Sequence, residues 1–250
     1  RSTGYVLAVV EADAAGEADP GQIRFDAVPA GDASSIGAAH PEGYRLVTTA
    51  ESVVIEASTA AGHGWAVQTL LQSAAPAVVS PFRAEAPISF PAGTLVDSPR
   101  YEWRGLMLDI VRHWFGVNDV THVIDLMATY KFNRLHLHLT DDQGWRIAVD
   151  AYPALTGIGA ATEVGGGSGG FLTKDDYRFL VAYAARRGIT VVPEIDVPGH
   201  TNAALSALPE LTCDGVAPEP YTKTQVGFSS LCIGDPDVDE FVRTVLTELA

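Results

Sequence analysis

Three short apolar runs, each followed at once by polar residues, constrain the fold of this chain more than any other feature. They cover residues 105–111, 134–140 and 189–195. The segments between them carry apolar residues at helical spacing, and strands of about four to eight apolar residues that alternate with helices predict parallel βα units. Ligands bind at the carboxyl ends of the strands in such sheets, so we expect the polar residues after the runs to be functional.

The polar residues after the first two runs are candidates for ligand binding. Arg112 follows the first run, and its guanidinium can bind two sugar hydroxyls or a carboxylate, or form a structural ion pair with an acid of the same sheet. Asp141 and Asp142 follow the second run. Because adjacent residues of an extended chain point to opposite sides, one of them can face a site while the other supports a loop.

A second group of candidates follows the third run. Asp196 and His200 flank the turn-forming residues 197–199, which can bring the two side chains close together. An Asp–His pair can tune a general acid or hold a proton in place. Glu194 lies in the same short segment, and the three titratable residues together favour a functional role over a structural one.

His136 and His138 leave a different hypothesis open. Residues i and i+2 of a strand share a face, and a His-x-His pair on a strand resembles the metal site of amidohydrolases. Here the pair lies mid-strand and is followed by two acids, which favours hydrogen-bonded core histidines. The alternative is a metal-dependent hydrolase that uses His136, His138, Asp141 and His200.

Composition limits the class of partner. The formal net charge of the 250 residues is -15, which disfavours nucleic acids and anionic membrane surfaces because both require a basic face. With 47% hydrophobic and 19% charged residues, the chain can bury a core. No apolar run reaches the roughly 18–20 residues of a membrane span.

The glycine run at 165–170 lacks the form of a phosphate-binding loop and is interpreted as a flexible surface turn, so we expect no cofactor.

Residues 1–97 are predicted to form a separate α+β domain, with a boundary near Asp97. Short runs rich in Val, Ile and Tyr at 5–10, 23–28, 44–48 and 53–57 predict an antiparallel sheet joined by turns, and residues 64–74 predict a helix with one apolar face. This part of the sequence contains no cluster of titratable residues, which favours a packing role. Residues 98–250 carry the βα units.

Helices are also predicted at 118–132, 173–187, 201–208 and 237–250. Thr173 is the expected N-cap of the second, with Asp175 and Asp176 in its first turn. The two cysteines, Cys213 and Cys232, lie in a loop-rich segment between two of these helices. Spacing alone leaves both a disulfide and two free thiols open, and a disulfide would indicate an oxidising compartment.

Three motifs together resemble those of the β-N-acetylhexosaminidases of glycoside hydrolase family 20, in particular its actinomycete-type bacterial members. They are DIVRH at 109–113, KFNRLHLHLTDDQGWR at 131–146 and PEIDVPGH at 193–200. Residues 1–97 are similar to the noncatalytic domain that precedes the barrel in that family, and GWAVQTLLQ at 64–72 is the clearest mark of the likeness. The resemblance implies a (β/α)8 TIM barrel, of which this chain would hold the first three βα units.

The resemblance also implies an activity and roles for several residues. The activity is removal of terminal N-acetylhexosamine from β-linked glycans by a retaining mechanism, in which the acetamido oxygen of the sugar attacks the anomeric carbon. Arg112, Asp141 and Glu194 are expected to serve substrate binding, and Asp196 and His200 to support the general acid, with no metal. Cys213 and Cys232 would match a disulfide of relatives, which favours an extracellular protein whose signal peptide has been removed.

One family feature does not occur in these residues. The Gly-Gly-Asp-Glu motif, whose Asp and Glu are the catalytic pair, is absent from the 250 residues. About 150 residues of barrel are present, against roughly 250 for a whole one. We therefore expect an incomplete barrel that is inactive alone and needs the rest of the barrel for a complete site. A noncatalytic sugar-binding protein is the remaining alternative.

Overall fold

The computed structural model describes residues 20–29, 40–74 and 89–250. The chain divides into two compact units, one formed by residues up to 104 together with 125–132, and one by 105–124 together with 133–250. In the described part of the chain, no helix is both long and apolar enough to cross a membrane.

The first unit contains a four-stranded sheet with one helix. In chain order the elements are β1 (Ile23–Ala27), β2 (Tyr44–Thr48), β3 (Val53–Ala57), α1 (Ala60–Ser73) and β4 (Gly93–Asp97). The strand order is β1-β3-β2-β4. The sequence did not indicate β4, and the run predicted at 5–10 lies outside the described residues.

The prediction of a wholly antiparallel sheet is wrong for one strand pair. Strand β2 pairs antiparallel with β3 and with β4, but β1 pairs parallel with β3. The reason is that β1 lies beside β3 instead of beside β2, the next strand along the chain. The alternation of apolar and polar residues is the same for both strand directions, so it does not specify which partner is chosen.

Helix α1 and one face of this sheet form the core of the first unit. Alternate residues of β2 and β3 are buried, and so is one side of the helix: Tyr44, Leu46, Val53, Ile55, Ala57, Trp65, Ala66 and Leu70. Thr59 caps the helix through a hydrogen bond from the Gly62 amide. A Cβ on Gly62 would lie 2.5 Å from the Gly43 carbonyl oxygen, so glycine permits the close approach of helix and sheet.

The second unit contains parallel strands that alternate with helices, as predicted. Its elements are β5 (Gly105–Asp109), α2 (Val117–Thr129, whose last residues belong to the first unit), β6 (Arg134–His138), β7 (Thr140–Asp141), β8 (Gly144–Trp145), α3 (Ala154–Gly157), α4 (Lys174–Ala185), β9 (Thr190–Glu194), α5 (Asn202–Ala207), a 3₁₀ turn (Pro209–Leu211) and α6 (Pro236–Leu249). Strands β5, β6 and β9 form a parallel sheet in the order β5-β6-β9.

Local signals in the sequence account for several of these boundaries. Thr173 and Asp176 form a reciprocal capping box at the start of α4. Gly188, with φ of +72°, follows the end of that helix, in a conformation that glycine adopts without strain.

In β6, Leu135 and Leu137 are fully buried, whereas the side chain of His136 between them is 41% exposed. One face of the strand therefore packs in the core, and the other is accessible at His136.

Cys213 and Cys232 form a disulfide, as the resemblance implied. It closes a loop between residues that are 19 positions apart. We expect the double substitution Cys213→Ser, Cys232→Ser to lower the free energy of unfolding of the second unit by about 3 kcal/mol, because the unfolded chain gains conformational entropy. Urea unfolding of the two proteins without reductant measures this difference. Equal midpoints would show that the loop is held without the disulfide.

Candidate functional site

The carboxyl ends of β5, β6 and β9 bring the residues singled out in the sequence into one cluster. Strand register places Asp109, His138 and Glu194 side by side at the last positions of these strands. The residues that follow the strands add charged and titratable groups beside them. The resulting cluster, called the strand-end cluster below, comprises Asp109, Arg112, His138, Asp141, Glu194, Asp196 and His200.

Asp141 lies at the centre of the strand-end cluster and its side chain is fully buried. Its Oδ2 lies 2.6 Å from Arg112 Nη2 and 2.9 Å from His138 Nε2. Its Oδ1 accepts a hydrogen bond from the Asp142 amide at 2.6 Å and lies 3.0 Å from His200 Nδ1. Burial alone would raise the pKa of Asp141, but the hydrogen bonds from His138, Asp142 and His200 and the charge of Arg112 outweigh it and lower the pKa.

Arg112 is held on two sides by carboxylates. Its Nη1 donates to Asp109 Oδ2 at 2.8 Å, and Asp109 Oδ1 accepts from the amides of Val111 and Arg112. The structural ion pair that the sequence offered as an alternative for Arg112 is therefore present. The Arg112 side chain is still 30% exposed, and none of the described residues accepts a hydrogen bond from its Nε. A partly solvated guanidinium of fixed orientation can still bind sugar hydroxyls.

His138 connects Asp141 with Glu194. Its side chain is 3% exposed, and its Nδ1 lies 3.1 Å from Glu194 Oε2. Its Nε2 lies 2.9 Å from Asp141 Oδ2 and 3.0 Å from Arg112 Nη1. Burial lowers the pKa of His138, but the two carboxylates outweigh it and raise the pKa. Because the carboxylate oxygen of Asp141 accepts, we assign a proton to Nε2, which donates to it at 2.9 Å.

The opposite pKa shifts of His138 and Asp141 predict a pH window of stability. A raised folded pKa means that His138 stabilises fully below its ordinary value of about 6.5 and progressively less as pH rises through the folded value. A lowered folded pKa means that Asp141 stabilises above about 3.9 and less as pH falls through the folded value. We expect the melting temperature difference between the natural protein and His138→Gln to be largest at about pH 4–6.5 and to shrink above it. A difference that grows between pH 6.5 and 9 would contradict the assigned proton.

The residues after β9 complete the strand-end cluster. The Asp196 amide donates to Thr140 Oγ1 at 2.9 Å, and burial raises the pKa of the Asp196 carboxyl. Polar atoms of Asp141, Asp196 and His200 lie within 4.8 Å of one another. His200 has a φ of +58°. The predicted proximity of Asp196 and His200 is thus confirmed, while their supporting roles stay a prediction.

The metal hypothesis gains no support from this geometry. His136 pairs with Glu194 at its Nε2, and the groups in the described residues with metal-ligand spacing combine His138, Glu194 and Asp196, or Asp141, Asp196 and His200. Neither contains His136. Because Arg112 lies 2.6 Å from Asp141, its positive charge opposes a second cation there. In this structure the acids and histidines are partners of one another.

Arg146 is a residue whose importance the sequence analysis missed. It is fully buried, and its guanidinium donates to the carbonyl oxygens of Val111 and Thr162 at 2.7 Å and of Ala160 and Gly170 at 3.1 Å. Burial lowers its pKa to about 10. The available signal was a charged residue between Trp145 and Ile147, both apolar. Arg146 thus ties the segment that carries Arg112 to the long connection before α4.

The glycine run is only partly the surface turn that was predicted. Gly165 and Gly166 have φ of +84° and +80° and open space around them. A Cβ on Gly169, however, would lie 2.1 Å from the Ala160 carbonyl oxygen, and one on Gly170 would lie 2.4 Å from the indole nitrogen of Trp114. The last two glycines therefore permit close packing around Arg146.

Comparison with known proteins agrees with the likeness seen in the motifs. Residues 101–250 match the model of the glycosyl hydrolase family 20 catalytic domain, and residues 3–98 match that of the family's domain 2. The β-N-acetylhexosaminidase of Cellulomonas fimi is 47% identical over 223 residues, which are 89% of this chain and 42% of that protein.

Solved structures give the same result. The β-N-acetylhexosaminidase from Streptomyces coelicolor A3(2) aligns with a TM-score of 0.86 at 50% identity, over 93% of this chain and 46% of that one. A mutant β-hexosaminidase of Streptomyces plicatus in complex with the product GlcNAc aligns with a TM-score of 0.84 at 51% identity, over 92% and 44%. The chain spans less than half the length of each of these relatives. On the match over residues 101–250, this chain belongs to glycosyl hydrolase family 20.

Proposed function

We propose that these residues form the amino-terminal part of a β-N-acetylhexosaminidase, which removes terminal N-acetylhexosamine from β-linked glycans. The observation that carries the proposal is the strand-end cluster, in which a fixed Arg112 adjoins the buried Asp141. The relatives named above are β-N-acetylhexosaminidases, and one was solved with GlcNAc. A net charge of -15 agrees with a neutral sugar as substrate and disfavours a polyanion.

We further propose that β5, β6 and β9 are the first three strands of a (β/α)8 barrel. Among the described residues, β5 and β9 each pair with β6 alone, and each therefore presents an edge that a further strand can occupy. The accessible face of the sheet, which carries the 51% exposed Met107, would then line the barrel interior. The rest of the barrel would complete the site.

In the proposed reaction the residues of the strand-end cluster have different tasks. Arg112 binds hydroxyls of the terminal sugar, and Asp109 and Asp141 fix its orientation. Glu194 supports substrate binding indirectly, since it braces His136 and His138. Asp196 and His200 support the general acid, whose protonation state they tune through their charge.

The chemical step would belong to an Asp–Glu pair outside these residues. The acetamido oxygen of the sugar attacks the anomeric carbon while the Glu protonates the leaving oxygen, and water then opens the cyclic intermediate with retention of configuration. The Asp orients the acetamido group. The 250 residues alone are therefore proposed to be inactive.

We also propose that the protein is extracellular and acts on chitooligosaccharides or glycoconjugates. The Cys213–Cys232 disulfide supports an oxidising compartment. A relative from Vibrio harveyi is an N,N'-diacetylchitobiase, 34% identical over 183 residues, which supports the class of substrate.

Hydrolysis of an aryl N-acetyl-β-glucosaminide tests the proposed function. We expect turnover by the full-length polypeptide that carries these residues and none by the 250-residue chain, and we expect the aryl β-glucoside without the acetamido group to resist both. Turnover by the 250-residue chain of verified mass would place the general acid within it. Equal hydrolysis of the two glycosides would contradict acetamido participation.

A further inference from the structure

A small cavity lies beside the segment that carries Asp141 in the second unit. The volume in which the centre of a water molecule fits is about 10 Å³. This is enough for about one water. Four separate parts of the chain line it, and one of them is helix α5 with Ala203 and Ser206. Asp142 and Gln143 follow β6, Thr162 belongs to the long connection, and Tyr221 belongs to the loop that the disulfide closes.

Three oxygen atoms of the lining residues are buried without a hydrogen-bond partner in the described part of the chain. They are Asp142 Oδ2, Gln143 Oε1 and Tyr221 Oη. Asp142 is 0% and Gln143 1% exposed, so bulk water does not reach their side chains. Buried polar groups are seldom left unpaired in folded proteins, and because all three atoms belong to residues that line one cavity, they indicate a common partner.

The remaining polar atoms of these side chains are already engaged. Asp142 Oδ1 accepts from the Asn202 amide at 3.1 Å. Gln143 Nε2 donates to the Lys223 carbonyl at 2.8 Å, which fixes the orientation of the amide and leaves its oxygen free. A partner in the cavity must therefore offer two donors, for the carboxylate and amide oxygens, and must accept one bond from the tyrosine hydroxyl.

We propose that one structural water molecule is bound in this cavity, donating to Asp142 Oδ2 and Gln143 Oε1 and accepting from Tyr221 Oη. Water supplies two donors and two acceptors and typically makes about three hydrogen bonds in buried sites. A metal cation fits less well, because hard cations take about six or more oxygen ligands.

The consequence of this water is a cross-link between the disulfide-closed loop and the strand-end cluster. The loop already contacts Asp142 through Ser229 and Gln143 through Lys223. The water adds a third tie, through Tyr221, to the two residues that follow Asp141.

Crystallography of the full-length protein and its Tyr221→Phe variant tests the site. We expect an electron-density peak within about 2.6–3.2 Å of all three oxygens. Tyr221→Phe keeps the ring that packs against Phe228 at 4.5 Å between centroids and removes the hydroxyl. In this variant we expect the peak to be displaced or lost and the melting temperature to fall by about 2–4 °C.

Tyr177→Phe is the matched control, because it removes a hydroxyl from helix α4 that does not line the cavity. It should leave the peak and the melting temperature unchanged. Absence of a peak in the natural protein would overturn the proposal, and so would an unchanged peak in Tyr221→Phe. An anomalous signal at the site after soaking in a rubidium salt would show that the site binds a cation and would also overturn the proposal. Each readout is independent of hydrolysis, so failure of the proposed function would not affect it.

Discussion

The Arg146→Met substitution is expected to lower the free energy of unfolding of the second unit by at least about 3 kcal/mol, because each buried polar group left unpaired costs about 1–3 kcal/mol. Four carbonyl oxygens lose their donor: those of Val111, Ala160, Thr162 and Gly170. Methionine fills part of the space but offers none of the donors. Relief from burying the guanidinium offsets part of the loss, which is why the expected value is well below the sum for four carbonyls.

Urea unfolding of Arg146→Met, Arg146→Lys and the natural protein measures this effect. Lysine keeps the charge but not the planar fork, so Arg146→Lys should rescue only a minor part of the stability. Arg178→Met is the matched control, since Arg178 is 70% exposed and pairs with an aspartate that is 94% exposed. It should unfold like the natural protein. Equal midpoints for Arg146→Met and Arg178→Met would show that Arg146 is not a structural tie.

The Asp141→Asn substitution is expected to lower kcat/KM of the full-length protein by about 10²–10³-fold, since removing one partner of a buried charge pair costs about 2–5 kcal/mol. Asparagine matches the shape of aspartate but removes the charge opposite Arg112 and His138. Its amide group also presents a donor to groups that are themselves donors. We expect KM to rise because Arg112 loses its orientation, and kcat to fall because His138 loses the carboxylate oxygen that accepts its hydrogen bond and the charge of the strand-end cluster changes.

Steady-state kinetics on the aryl N-acetyl-β-glucosaminide measures both parameters. Asp175→Asn is the control, because Asp175 is 94% exposed on helix α4, and its kcat and KM should be unchanged. Circular dichroism at the assay temperature establishes that Asp141→Asn remains folded. If folded Asp141→Asn has the same kcat and KM as Asp175→Asn, Asp141 has no role in the functional site.

Local features of the sequence accounted for most of the second unit. The helix after Thr173 begins at its capping box because that motif is built from residues within one turn. The strands at 105–109, 134–138 and 190–194 follow from their apolar runs, and parallel pairing follows from the helices between them. Because parallel strands end at one edge of a sheet, the residues that follow them meet, and Arg112, Asp141, Asp196 and His200 could be named in advance.

Features that depend on distant residues could not be obtained in this way. The parallel pairing of β1 with β3 depends on which sheet edge β1 occupies. The alternation of apolar and polar residues does not specify that edge. Arg146 is charged and would be expected on the surface. It is buried because carbonyl oxygens from residues 111, 160, 162 and 170 converge on it.

The sequence by itself therefore determined most elements of the second unit, the family and the set of residues at the strand ends. Tertiary structure decided how those residues are paired: that Asp141 is shared by Arg112, His138 and His200, and that Glu194 is shared by His136 and His138. The physical reason is range. Periodicity and capping act within a few residues, whereas hydrogen bonds and ion pairs of a buried cluster join groups about 60 positions apart, such as Asp141 and His200.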